Sequence, residues 1–251
     1  MGVLVIAGAV MIGLTLGLTG AGGSIVTLPV LVYLGGIAPA DAVPLSLLVV
    51  GSAALTGSLH RWRKGEICFP SSAVFAVTGM VGAALGALVT PLVGPLVLMV
   101  LFAILMLVVA IFMLLPKKHT DPESGHCDLP PPSFLSRALA GGAVGVLTGF
   151  IGVGGGFLLV PALLKFGRLG LRQTIGTSLA IIFFNSVAGF LSHLGATEID
   201  WPVALLFSSL ACLGVLVGTR LAGLIPPDRL RQGFAVMVML IGLSVLWSSL
   251  R

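Results

Sequence analysis

The stretch "GLTGAGGSIVTLP", residues 17–29, places Gly17, Gly20, Gly22 and Gly23, two threonines and Ser24 inside sequence otherwise as apolar as a membrane span. Four glycines this close disfavour a continuous helix, because each lacks a Cβ and leaves the backbone free to turn. The surroundings make that break informative. The chain has 251 residues, is 57% hydrophobic and only 8% charged, and has a mean hydropathy of +1.19. Soluble globular domains do not reach that balance, and the apolar runs are of helix-spanning length rather than alternating as in a membrane barrel. The expected fold class is an all-α polytopic membrane protein. Its opening, "MGVLVIAGAV", has no basic region ahead of the apolar run, so it reads as a retained span rather than a cleaved leader. Cys68, Cys127 and Cys212 form no metal-ligand or redox spacing.

The break recurs. Shifting the chain by 132 residues, the separation of Gly17 and Gly149, lays Gly20, Gly22, Gly23 and Pro29 on Gly152, Gly154, Gly155 and Pro161. At the same offset Ser46 meets Ser178, Gly57 meets Gly189, Glu66 meets Glu198, and Gly82, Gly86 and Pro95 meet Gly214, Gly218 and Pro227. A gapless internal duplication is the habit of transporter folds. It divides the chain into a first transmembrane repeat, 1–115, a Pro-rich hydrophilic linker, 116–133, and a second repeat, 134–251. Apolar segments are expected at about 3–18, 25–35, 42–59, 70–90 and 96–115, and again at about 134–148, 157–164, 174–191, 202–222 and 233–250.

Charge decides how the halves are oriented. If 3–35 were one broken span, seven basic residues would lie on one side and six on the other. If each glycine stretch is instead the tip of a helical hairpin, twelve of the 13 Lys and Arg share one side, with only Arg251 opposite. The positive-inside rule selects the hairpin. Each half is then a Gly-rich broken-helix hairpin plus three transmembrane helices, the two repeats are inverted, the linker is cytoplasmic and both termini are outside the cytoplasm.

A backbone reversal at membrane depth must face protein or a polar cavity, because unsatisfied N–H groups in lipid cost several kcal/mol each. After Gly22, Gly23 and Ser24, and after Gly154, Gly155 and Gly156, a short second helix begins, and a helix start offers unpaired N–H groups and the positive dipole end. Two such starts brought together would hold one small anion, with Thr19 assisting. Ser46, Ser178 and Asn185, the chain's only asparagine, are the candidate ligand groups on the following spans. The alternative for each is local packing or interhelical hydrogen bonding, and Gly82/Gly86 and Gly214/Gly218 read as helix-packing pairs. Glu66 and Glu198 sit near helix starts, where a carboxylate complements the dipole. Arg61, Arg63 and Lys64 read as topology determinants that also attract anions.

Taken together, "GLTGAGGSIVTLPVLVYLGGIAPADAVPLSLLVVGSAALTGSLHRWRKGEI" and its echo "GFIGVGGGFLLVPALLKFGRLGLRQTIGTSLAIIFFNSVAGFLSHLGATEID" resemble the sulfite exporter TauE/SafE family through both repeats. The resemblance implies an inner-membrane permease for sulfite, sulfoacetate or another small sulfur-containing or organic anion. The function expected is secondary export by alternating access, without cofactor, metal or catalytic residues. Expected partners are the small anion and the lipid bilayer, with a homodimer left open and no nucleic acid. No P-loop is present to drive an ATP-powered pump. Two rivals stand beside it: an intramembrane enzyme with Ser24 as nucleophile and His60 or His193 as base, and a membrane scaffold without transport.

Overall fold

A computed structural model describes residues 3–37, 39–89, 95–114, 134–151, 156–167, 169–193 and 200–249. Ten α-helices account for most of them. In the first half these are α1 (Val3–Thr19), α2 (Gly22–Pro29), α3 (Pro39–Trp62), α4 (Phe69–Val89) and α5 (Pro95–Leu114). The second half repeats the order with α6 (Phe134–Ile151), α7 (Gly156–Phe166), α8 (Leu171–His193), α9 (Trp201–Leu224) and α10 (Pro227–Ser249). The chain is an all-α polytopic membrane protein. Among the described residues, Asp41–Trp62, Leu171–Leu191, Trp201–Leu224 and Asp228–Trp247 are long and apolar enough to cross a bilayer, and α1 and α6 are shorter apolar helices.

Prolines and caps set several boundaries. Pro39, Pro95 and Pro227 open α3, α5 and α10, positions where a missing N–H is no loss. Asp200 caps α9 by accepting from the Val203 N–H at 3.2 Å. Pro29 has no N–H to continue α2, and the next five residues, Val30–Leu34, widen into a π-helical turn. The Gly35 N–H closes that turn on the Val30 carbonyl at 2.9 Å, and Gly36, at φ +66°, reverses the chain towards α3.

Small residues let the helices approach closely. A Cβ at Gly13 would run into the Ala211 carbonyl, and one at Gly17 would lie 2.5 Å from the Val215 carbonyl, so α1 and α9 pack backbone to backbone and run parallel. Gly214 and Gly218 face the Val10 and Leu14 carbonyls across the same seam. The corresponding pair in the other half, α6 against α4, is built alike, with Gly145 against Gly79 and Gly82 against Gly142. Gly82, Gly214 and Gly218 are therefore packing residues, as their spacing leads one to expect. At the centre α3 lies against α8, with Gly57 near Leu179, Gly51 near Ser186 and Gly189 near Leu47. Residue numbers rise along one helix as they fall along the other, so these two are antiparallel. The arrangement exchanges partners between halves: α1 with α9 and α4 with α6, while α2 meets α7, α3 meets α8 and α5 meets α10.

The core is continuous across both halves, with Ile12, Leu16, Val49, Phe75, Leu163, Ile175, Leu179 and Phe207 buried in it. Outward faces carry apolar side chains at helical spacing, such as Val77, Val81 and Leu85 on α4 and Leu101, Ile104, Val108 and Ile111 on α5. Such an exposed apolar belt suits hydrocarbon rather than water.

Candidate functional site

The glycine stretch forms a helical hairpin. At its turn Gly20 adopts φ +74°, a conformation that L side chains rarely take, and its N–H still closes the last turn of α1 on the Leu16 carbonyl at 2.8 Å. α2 then folds back along α1, bringing Gly23 against the Ile12 carbonyl and Leu16. Thr19 is the hinge of this turn. Its buried hydroxyl donates to the Thr15 carbonyl at 2.8 Å and accepts from the Gly22 N–H at 2.8 Å and the Ala21 N–H at 3.4 Å. Thr19 thereby caps the second helix as an N-cap hydroxyl does, and its single proton is already committed. The Ser24 hydroxyl likewise donates to the Ala21 carbonyl at 2.8 Å. Gly23 and Ser24 are the second and third residues of α2, where a helix leaves its N–H groups without a partner of its own four residues back, and they lie at its positive end.

The two hairpins meet. A Cβ at Gly156, the first residue of α7, would lie 2.9 Å from the Ser24 Oγ and 2.8 Å from the Ile182 Cδ1. α8 lines both hairpins on one face: the Ser178 hydroxyl stands 2.9 Å from the Gly20 carbonyl and 2.9 Å from the Ile175 carbonyl, and Ile182 follows one turn later at Gly156. Ser178 thus ties the first hairpin to the second repeat. Asn185, three residues beyond Ile182, is half-buried, and its Oδ1 has no partner among the described residues. A buried amide oxygen left unsatisfied is costly, and rotating the amide would present its NH2 instead. Ser46 bonds its own helix, donating to the Val43 carbonyl at 2.7 Å. Gly154, Gly155, Glu198 and the 116–133 linker lie outside the described residues.

What each glycine faces separates packing from access. Gly13, Gly145 and Gly214 meet backbone atoms, which cannot yield. Gly22 and Gly156 chiefly meet the far ends of flexible side chains, the Met237 Cε at 2.5 Å and the Ile182 Cδ1 at 2.8 Å. Rotamer changes would clear Gly156, whereas at Gly22 the Met237 end can move but the Thr19 Oγ1, 2.9 Å away, is held as the cap of α2; Gly23, against the Ile12 carbonyl at 2.6 Å, is held by packing.

Arg61, which the sequence reading placed only at a span end, joins the site. Arg61 is 4% exposed; its Nη1 donates to Glu66 Oε2 at 2.7 Å and its Nη2 to the Gly17 carbonyl at 3.2 Å. Arg61 therefore ties the end of α3 to the last turn of α1, and Glu66 serves as its counterion. The peptide beyond Glu66 wedges against α8, where the Cys68 N–H donates to the Thr177 hydroxyl at 3.1 Å. The spacing of five between Arg61 and Glu66 was the available signal, hidden because Arg61 lies in the last turn of α3 while Glu66 lies beyond the helix. Arg231, on the first turns of α10, borders a crevice of about 10 Å3, room for about one water molecule, with Thr19, Leu171, Ile175, Leu230 and Phe234. No group of residues suited to a metal ion occurs among the described residues.

Residues 5–245 match the family model described as sulfite exporter TauE/SafE. The chain is 32% identical to a probable membrane transporter protein of Xylella fastidiosa (strain 9a5c), across 95% of its own length and 92% of that protein. It is 25% identical to the probable membrane transporter protein YunE of Bacillus subtilis (strain 168), covering 96% and 97% of the two chains. A probable membrane transporter protein of Methanocaldococcus jannaschii is 26% identical over 97% of this chain and 94% of its own. No solved structure matches.

Proposed function

Because the chain belongs to the sulfite exporter TauE/SafE family, we propose that it exports a small anion, sulfite or an organosulfonate such as sulfoacetate, by alternating access between two inverted hairpins. It is a multi-pass membrane transporter and not an enzyme. The Ser24 hydroxyl, spent on the Ala21 carbonyl, is also poorly placed as a nucleophile. The observation that carries the proposal is the meeting of the hairpins, with Ser24 against Gly156 at the starts of α2 and α7. Helix starts facing one another concentrate positive potential on the volume between them, where an anion is favoured. The substrate-binding set is Thr19, Gly22, Gly23, Ser24, Ser46, Gly154, Gly155, Gly156, Ser178 and Asn185. Within it Thr19 and Ser178 shape the first hairpin, Gly23 lets α2 pack on α1, and Gly22 and Gly156 give the anion access.

The antiparallel course of α3 and α8, which are repeat partners, supports inverted halves, and inversion supports exchange of access from one side to the other. The membrane is the cell's inner membrane, and the basic residues face the cytoplasm. Export then needs no obligatory coupled ion: moving a divalent anion out of an inside-negative cell yields about 4.6 kcal/mol at 100 mV.

The test is efflux from proteoliposomes loaded with sulfite, sulfoacetate, sulfate or a neutral solute, at an imposed potential, for the wild type, Gly156→Leu and Gly223→Leu. A Cβ at Gly223 has no neighbour within 4 Å, so that variant controls for insertion of the side chain itself. Selective, potential-sensitive efflux of an anion, lost in Gly156→Leu and kept in Gly223→Leu, is the expected result. Efflux that survives in Gly156→Leu would remove the hairpin junction from the substrate path.

A further inference from the structure

We infer that the paired starts of α4 and α6 form a seat for the phosphate of an anionic phospholipid, with Arg137 as the residue that holds it. Arg137 lies in the first turn of α6 and is only 7% exposed. Its buried Nε has no acceptor, and no hydrogen bond or ion pair engages its guanidinium among the described residues. An arginine does not shed its charge on burial, so an unmatched guanidinium inside an apolar protein calls for an anion. The chain supplies none there. Among the described residues only Asp41, Glu66, Asp200 and Asp228 are acidic. Glu66 pairs with Arg61, Asp200 caps α9, and Asp41 and Asp228 stand in the first turns of α3 and α10.

The helices around Arg137 add to the demand for negative charge. Gly145 packs on Gly79, and Gly141 on Phe75 and Thr78, so α4 and α6 run parallel with their starts side by side. Neither first turn holds an acidic residue. That is where a carboxylate would complement the free N–H groups and the positive dipole end. Helix side chains lean toward their own N-terminus, which carries the Arg137 guanidinium toward this paired start. Two helix starts and one buried arginine therefore converge, and a phosphate, with several acceptor oxygens, suits both kinds of donor.

The surroundings place that phosphate on a lipid. Phe134, Leu135 and Leu139, which flank Arg137 on α6, are exposed and apolar. Trp62, at the end of α3, and Phe69, at the start of α4, are exposed too and meet edge to face at 6.0 Å. A tryptophan at such a helix end marks the headgroup level of a bilayer. A phospholipid at this level lays its acyl chains against Leu135 and Leu139 and brings its phosphate to the first turns. The surplus positive charge favours a headgroup of net negative charge over a zwitterionic one, whose own cation it repels.

The test uses the full chain, purified in detergent and stripped of lipid, as wild type, Arg137→Gln, Arg137→Lys and Arg229→Gln, the last altering an exposed arginine on α10. Phosphatidylglycerol, phosphatidylcholine or inorganic phosphate is added, and lipid retention in native mass spectrometry is read beside the midpoint of thermal unfolding. Without lipid, Arg137→Gln should unfold at or above the wild-type midpoint, because it removes an unmatched buried charge. Phosphatidylglycerol should reverse that order, while phosphatidylcholine and inorganic phosphate leave it unchanged. Arg137→Gln is expected to bind phosphatidylglycerol about tenfold or more weakly, Arg137→Lys to fall between, and Arg229→Gln to match the wild type. Equal binding by the wild type and Arg137→Gln, both folded, overturns the inference. So does phosphatidylcholine or free phosphate acting as strongly as phosphatidylglycerol. A lower lipid-free midpoint in Arg137→Gln, shared by a protein carrying Asp121→Asn, Glu123→Gln and Asp128→Asn, would assign Arg137 to the linker carboxylates instead.

Discussion

Arg61 shows how much one side chain carries in an apolar protein. With only 8% of residues charged, a buried guanidinium must be matched, and Glu66 and the Gly17 carbonyl match it. Removing one member of a buried pair leaves the other uncompensated, whereas removing both leaves neither. Arg61→Met is expected to destabilise the protein by up to about 3 kcal/mol, the lower end of the range for buried pairs because Glu66 keeps 20% side-chain exposure. Glu66→Gln is expected to cost less, since Arg61 retains the Gly17 carbonyl, and Arg61→Met with Glu66→Met together less than Arg61→Met alone. Thermal unfolding in detergent gives the order. Equal loss in Arg61→Met and the double variant would mean that the bond to Gly17 matters and the ion pair does not. From the sequence, Arg61 was legible as a charge at a span end but not as a buried one, because the turn that returns Glu66 to it is irregular. Thr19 and Ser178 were legible as polar residues near the hairpin; that their hydroxyls serve the protein's own backbone depends on where α8 passes, which spacing does not encode.

At the scale of elements, glycine position and glycine surroundings separate two roles that composition alone merges. α1 and α9 touch through Gly13, Gly17, Gly214 and Gly218, each facing backbone of the opposite helix. A methyl there has nowhere to go, and overpacking costs about 1–3 kcal/mol or more. Gly13→Ala and Gly214→Ala are therefore expected to lower the midpoint of thermal unfolding markedly, while Gly223→Ala and Gly233→Ala, with no neighbour within 4 Å, should leave it unchanged or raise it slightly. A Gly13→Ala protein as stable as the wild type would show that α1 and α9 are not so closely packed. The elements themselves were largely legible, because apolar length and proline punctuation are local properties. The breaks after Thr19 and at Gly36, and the starts of α4 and α9, fall within a few residues of expectation. α10 begins earlier than its apolar run implies, at Pro227 rather than about 233, since Asp228, Arg229 and Arg231 are helical but polar. Hydropathy sees the membrane-facing part of a helix and misses a first turn that projects beyond it.

For the whole molecule, the direction of each helix follows from contacts between the halves. α1 runs with α9, α4 runs with α6, and α3 runs against α8. Arg61 near the end of α3 reaches Gly17 near the end of α1, so α1 and α3 finish at the same level. The turn after α3 is short, and α4 therefore returns in the opposite direction, carrying α6 with it. α6 thus opposes α1, its repeat partner, and the relation agrees with the clustering of basic residues when the hairpins double back. It also fixes a side for the described connections before and after α3. Gly36, exposed in the turn between α2 and α3, belongs to the face where α1 begins, and Lys64, exposed beyond α3, belongs to the opposite face. With the basic face cytoplasmic, Gly36→Cys should react with an impermeant maleimide added to intact cells, whereas Lys64→Cys and Arg229→Cys should react only after the membrane is opened. The measurement is made in a background lacking the native cysteines, with a permeant maleimide as the control for reactivity. Lys64→Cys and Gly36→Cys labelled from the same side would mean that α3 does not cross the bilayer, and inversion of the two halves could not then stand. Labelling with the sides exchanged would keep the inversion and reverse the molecule in the membrane, placing its basic face outside the cell.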